Sequence, residues 1–247
     1  MKTQLLVSVR SAIEAEAALA GGADIVDVKE PRLGSLGRPG SDTVAAVIKL
    51  CATSTPVSVA LGELRDCPLP CGPSGIRWAK AGLSRLGQND WEGAFCELAN
   101  QLRPATLVPV AYADAGRAGA PCPFSVLDAI RRFGGTYMLL DTYVKDGRGL
   151  LNWMPSVVLA ELQRRCRAAG VALGLAGSLT FEDIAGLLPL CPAIIAVRGA
   201  VCRQRRRDLE LDGKLVNSLK TLFVQAAQRS EPVVKATACS IYAERVS

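Results

Sequence analysis

The sequence contains no histidine. Its absence excludes serine–histidine and cysteine–histidine nucleophile pairs, and with them the usual general base of neutral pH. Acid–base chemistry in this chain therefore falls to Asp, Glu, Lys, Tyr or a tuned Cys. Zinc loses its usual nitrogen ligand as well. Nine cysteines remain, but only Cys67 and Cys71 stand close together, so no metal site is expected. The odd count and irregular spacing suit small apolar thiols in a reducing compartment rather than a disulfide framework. Aromatic residues make up only 5% of a chain that is 49% hydrophobic. The core must then be built from Ala, Val, Leu and Ile, the usual filling of parallel α/β folds. No apolar run approaches the roughly 18 residues of a membrane span, and the opening "MKTQLLVSVR" meets Arg10 too soon for a signal peptide. A soluble, cytoplasmic protein with no membrane partner is expected.

The formal charge is +6, and its densest patch is "RQRRR", Arg203 to Arg207. No stacking aromatics accompany it, so a solvated face is expected and nucleic acid is not an expected partner.

Eight short apolar runs are present, at 4–9, 24–29, 56–61, 76–80, 105–112, 136–141, 171–177 and 193–199. Segments of helical period separate most of them. "SAIEAEAALAGG" opens on Ser11 as an N-cap and closes on glycines. The segments at 41–51, 89–102, 123–135, 154–170, 180–188 and 207–228 read the same way. Strand and helix alternating in this fashion predict a (β/α)8 TIM barrel. A doubly wound open sheet is the alternative, but no G-x-G-x-x-G follows an early strand. The third unit is irregular: "GELRDCPLPCGPSG" carries three prolines and is too short for a normal helix. A single domain over 1–229 and a C-terminal tail over 230–247 are predicted, with no internal repeat beyond the alternation itself.

In such a barrel the chemistry sits at the C-terminal ends of the strands. Applying that filter leaves Asp27 and Lys29 after the second strand, Lys80 after the fourth, Asp114 after the fifth, and Asp141 with Lys145 after the sixth. Residues two apart on a strand point the same way, so Asp27 and Lys29 share a face. Alternate strands fill common interior layers, which brings Lys29 toward Lys80. A lysine beside another cation in a partly desolvated site loses its proton more readily and becomes a nucleophile toward an aldehyde or ketone. The carboxylates can then move the protons of imine and enamine chemistry. An internal ring of salt bridges is the alternative. After strands seven and eight come Gly177 and Ser178, then Arg198, Gly199 and Ala200. Small residues and a cation in these loops suit a phosphate, although two ordinary glycine turns would look similar. Together the two groups suggest a small phosphorylated carbonyl substrate.

"AGGADIVDVKEPRLGSLG", "AKAGL", "AYADAGRAG", "LLDTYVKDGRGL", "GLAGSL" and "VRGAVC", in this order, resemble the (5-formylfuran-3-yl)methyl phosphate synthase family of methanofuran biosynthesis. The resemblance implies a lyase that joins two glyceraldehyde 3-phosphates with loss of phosphate and water. It implies Lys29 as the Schiff-base lysine, Asp27 as its companion acid, Lys80, Asp141 and Lys145 as further active-site residues, and no cofactor. A homo-oligomer is expected. Two departures stand out. Gly116 occupies the place of a histidine in the family's archaeal members, so its proton transfer would pass to a group such as Asp114. The shortened third unit is the other. A class I aldolase acting on another sugar phosphate, and a non-catalytic barrel that binds phosphorylated ligands or nucleic acid, are the alternative readings.

Overall fold

The structure is a computed structural model that describes residues 2–51, 54–66, 74–87 and 91–230. Eight parallel strands close into a barrel in sequence order: β1 Gln4–Val9, β2 Ile25–Val28, β3 Val57–Glu63, β4 Trp78–Gly82, β5 Thr106–Tyr112, β6 Tyr137–Asp141, β7 Ala172–Leu175 and β8 Ile194–Val197. The helices are α1 Ala12–Ala20, α2 Ser41–Cys51, α3 Glu92–Gln101, α4 Ala115–Ala118, α5 Pro123–Phe133, α6 Leu150–Trp153, α7 Ser156–Ala168, α8 Phe181–Leu187 and α9 Gly213–Ser230.

The strands are mainly apolar on both faces because each face meets a different core. On β1, Leu5, Val7 and Val9 pack outward with the helices. Leu6 packs inward with Ile25, Trp78, Val108, Leu139 and Ala196. Trp78 meets Tyr137 edge-on at 5.8 Å inside the barrel. Burying each such aliphatic side chain is worth roughly 1.5–3 kcal/mol, so the alternation of inward and outward residues holds the register firmly.

That register determines where the charges lie. One pleat beyond the inward residues of the even strands stand Asp27 after Ile25, Lys80 after Trp78, Asp141 after Leu139 and Arg198 after Ala196. All four are buried. The even strands of a barrel contribute to the same layers, so four ionisable groups share the level just above the apolar plug.

The third unit has no α-helix among the described residues. A 3-10 turn, Leu64–Asp66, follows β3, and Cys67 and Cys71 lie outside the described residues. Two four-residue helices, α4 and α6, have no counterpart in the sequence pattern. α9 begins at Gly213, six residues later than the helical pattern suggests. The intervening "RDLELD" turns at Arg207–Leu209 and then places Leu211 in an antiparallel bridge with Cys202. α9 ends at Ser230, and residues 231–247 of the expected tail lie outside the described residues.

Candidate active site

A cavity of about 370 Å³ opens at the C-terminal ends of the strands. Seven basic side chains and two acidic ones line it: Lys29, Lys80, Lys145, Arg198, Arg205, Arg206 and Arg207 against Asp141 and Asp208. Such an excess of positive charge around a confined space favours an anionic guest.

Lys29 follows β2 directly. Its Nζ donates a long hydrogen bond, 3.4 Å, to the carbonyl of Ser35. Burial pulls its pKa from the ordinary lysine value down to about 7; Lys80 and Lys145 push the same way, while Asp141 and Asp27 oppose them. A substantial fraction of the amine is thus neutral near pH 7.

Asp27 does not pair with Lys29. Its Oδ1 accepts the Lys80 ammonium at 2.7 Å, and its Oδ2 accepts the hydroxyl of Ser8 at 2.8 Å. Ser8 on β1 stands opposite Asp27 in the ladder, which is why a serine interrupts an otherwise apolar strand. Lys80 lies in the middle of β4 rather than at its end, and strand tilt brings it level with Asp27. Both partners are almost wholly buried; removing either would strand a charge at a cost of about 3–5 kcal/mol.

Asp141 is the most heavily held group. Its Oδ1 accepts Lys145 Nζ at 2.6 Å and the amide of Thr142 at 2.7 Å. The hydroxyl of Ser35 lies 3.1 Å from its Oδ2 and 3.0 Å from the Thr142 carbonyl. Burial would raise its pKa, but Lys145, Lys29 and these hydrogen bonds outweigh it and bring the carboxyl down to about 2. Lys145 also donates to Thr142 Oγ1 at 2.9 Å. Ser35 therefore links the neighbourhood of Lys29 to Asp141 from the β2 loop. That loop folds back tightly: a Cβ on Gly37 would overlap the Glu30 carbonyl.

Two expectations need correction. Asp114 faces no reacting group: its two carboxylate oxygens accept the amides of Tyr143 at 2.6 Å and Val144 at 3.0 Å. It anchors the β6 loop and does not line the cavity, so it is unsuited to replace a histidine. Gly116 itself lies in α4, where a side chain would meet open space. Arg198 lines the cavity, but its donors are consumed. It holds Glu14 through both terminal nitrogens, at 2.8 and 3.2 Å, and donates to the carbonyls of Ser8, Arg207 and Leu209. Glu14, whose pKa stays low despite burial because Arg198 and Arg10 bind it, is the partner the strand-end rule could not reveal.

Gly177, Ser178, Gly199 and Ala200 all line the cavity. Gly177 adopts φ +109°, and a Cβ there would press on Thr142; the backbone passes too close to β6 for a side chain. The residues missed by sequence reasoning are Ser8, Ser35, Thr142 and Arg207. For Ser8 the available signal was a polar residue inside an apolar run. Among the described residues no three His, Cys, Asp or Glu side chains are grouped as a metal would need, and no helix is long and apolar enough to cross a membrane.

The sequence pattern of the 4-HFC-P synthase family matches residues 5–220. The (5-formylfuran-3-yl)methyl phosphate synthase of Methanocaldococcus jannaschii is 34% identical over 233 residues, covering 88% of this chain and 98% of that one. The enzyme of the same name from Methanococcus maripaludis strain S2 is 35% identical over 222 residues, covering 83% and 92%. Among solved structures, phosphoribosyl anthranilate isomerase from Thermus thermophilus superposes with a TM-score of 0.62 at 14% identity, covering 90% of this chain and 99% of that one. The last likeness concerns the barrel alone.

Proposed function

The chain belongs to the 4-HFC-P synthase family, and on that premise we propose that it is a Schiff-base lyase of methanofuran biosynthesis. The reaction condenses two molecules of glyceraldehyde 3-phosphate to (5-formylfuran-3-yl)methyl phosphate with loss of phosphate and water. The observation that carries this reading is Lys29, a lysine with a pKa of about 7 in the wall of a cavity rich in positive charge.

The neutral Lys29 amine attacks the aldehyde carbon of one triose phosphate, and loss of water gives an imine. The protonated imine withdraws electrons from the neighbouring carbon, whose proton then passes to a carboxylate. Asp141 and the Asp27–Lys80 pair are the acids and bases within the layer. The resulting enamine expels phosphate or attacks the aldehyde of the second molecule. Lys145 and Lys80 supply positive charge for the oxyanions and phosphate that form. Ring closure and dehydration complete the furan, and water hydrolyses the imine to release the product aldehyde and free the Lys29 amine.

Incubation with glyceraldehyde 3-phosphate should generate the ultraviolet absorbance of a furan aldehyde, and Lys29→Ala should abolish it. Cleavage or aldol products without that chromophore would instead indicate an aldolase acting on another sugar phosphate.

A further inference from the structure

Arg207 is a half-buried guanidinium in the cavity wall. One terminal nitrogen, Nη2, donates to the carbonyls of Pro31 and Gly34, both at 3.1 Å. Among the described residues its Nε and Nη1 have no partner, and no carboxylate lies within ion-pair distance of it. Asp208 next to it is paired with Arg206 at 2.6 Å, and Glu14 is held by Arg198 and Arg10. A guanidinium offers five donors, and withdrawing it from water without a counter-ion is costly. Burial accordingly lowers its pKa below the ordinary arginine value, and the first carboxylate to oppose that shift is Asp141, in the reactive layer.

The backbone is built to hold this side chain in place. Gln204 and Arg205 adopt left-handed φ values of 53° and 56° in the preceding turn, a conformation that non-glycine residues take at a cost of about 1 kcal/mol or more each. The buried Arg198, fixed by Glu14, donates through Nε to the carbonyl of Arg207 at 2.7 Å. An internal ion pair thus pins the residue that carries an uncompensated cation.

We propose that Arg207 is the phosphate-recognising residue of the mouth, binding a phosphomonoester with the donors that its loop contacts leave free. Through Nη2 it also holds the loop that carries Ser35, so the phosphate and the Lys29–Asp141 neighbourhood are recognised by one rigid unit. The sequence pattern assigned this task to Arg198; Arg198 is instead the support on which Arg207 rests. The assignment depends on the reading of the substrate as a phosphorylated carbonyl compound.

The test is calorimetric titration with glycerol 3-phosphate, which carries the phosphomonoester but has no carbonyl and cannot form an imine. The wild-type protein should bind it and should not bind glycerol. Arg207→Gln should weaken binding about 10- to 100-fold, the worth of charge-assisted hydrogen bonds. Arg203→Gln, at an exposed arginine outside the cavity that pairs with Glu210, should leave it unchanged. Arg207→Lys keeps the charge without the planar fork and should fall between; it decides the matter if Arg207→Gln does not fold. Unaltered binding by Arg207→Gln, equal losses from Arg203→Gln, or no binding by the wild type would overturn the proposal. Borohydride trapping with unphosphorylated glyceraldehyde separates the two levels. Arg207→Gln should be labelled at Lys29 as readily as the wild type. A protein that binds glycerol 3-phosphate through Arg207 but is never labelled at Lys29 retains this inference and loses the imine mechanism.

Discussion

Lys29 is costly for the fold, and the burial that makes it so also favours its neutral amine. Its folded pKa of about 7 lies below the unfolded value of about 10.4. Below pH 7 the native state must hold a charge that it disfavours. Between pH 7 and about 10 the unfolded chain binds the extra proton, so stability from this group rises with pH and the penalty is relieved. Lys29→Met should therefore stabilise the protein by about 2–4 kcal/mol at pH 6, with the gain shrinking as pH rises above 7. Urea unfolding at several pH values measures this. The same titration should appear in kcat/KM as an ascending limb centred near pH 7, because the proposed nucleophile is the free amine. Asp141 is ionised throughout that range and contributes no limb. Stability that falls in Lys29→Met at pH 6, or a flat kcat/KM profile, would contradict the assignment. Lys29, Lys80, Asp141 and Lys145 line the cavity, and strand ends pointed to them because an inward charge at that level meets the barrel mouth. Asp114 misled because its partners are backbone amides, which no sequence displays. Arg198 misled because Glu14 is 184 residues away.

The elements differ in how plainly they were written. All eight strands were legible because each is an apolar run bounded by turn residues. α4 and α6 were not, since four residues are too few to establish a helical period. "RDLELD" reads as helix by composition, but the chain turns at Arg207–Leu209 and Leu211 pairs with Cys202 in an antiparallel bridge instead. After β3 a side-chain clamp ties three strands together. Glu63 at the end of β3 accepts the hydroxyl of Tyr112 from β5 at 2.6 Å and the amide of Ser84 after β4 at 2.9 Å. Burial and Glu63 together raise the pKa of Tyr112 well above its usual value, so the phenol remains a donor. Gly82 permits this clamp, because a Cβ there would collide with both Glu63 and Tyr112. Gly82→Ala should accordingly destabilise the protein by roughly 1–3 kcal/mol, the range for overpacking. A thermal melt that matches the wild type would show that the clamp carries no load.

At the scale of the whole molecule, the barrel concentrates positive charge at one end of an otherwise apolar cylinder. Alternation on the even strands lifts Asp27, Lys80, Asp141 and Arg198 to a single level above the plug. Lys29 and Arg207 complete the mouth from the loops. The family match spans β1 into α9, so it runs through all eight strands of the barrel. The furan product, by contrast, could not be read from spacing: many phosphorylated carbonyl compounds would suit a lysine and a cationic wall, and only the ordered set of motifs points to one. The proposed reaction requires a covalent bond between that substrate class and one amine. Sodium borohydride added during incubation with glyceraldehyde 3-phosphate should reduce the imine, and peptide mass mapping should place the added mass on Lys29. An adduct on another lysine, or none while the furan aldehyde still accumulates, would contradict it.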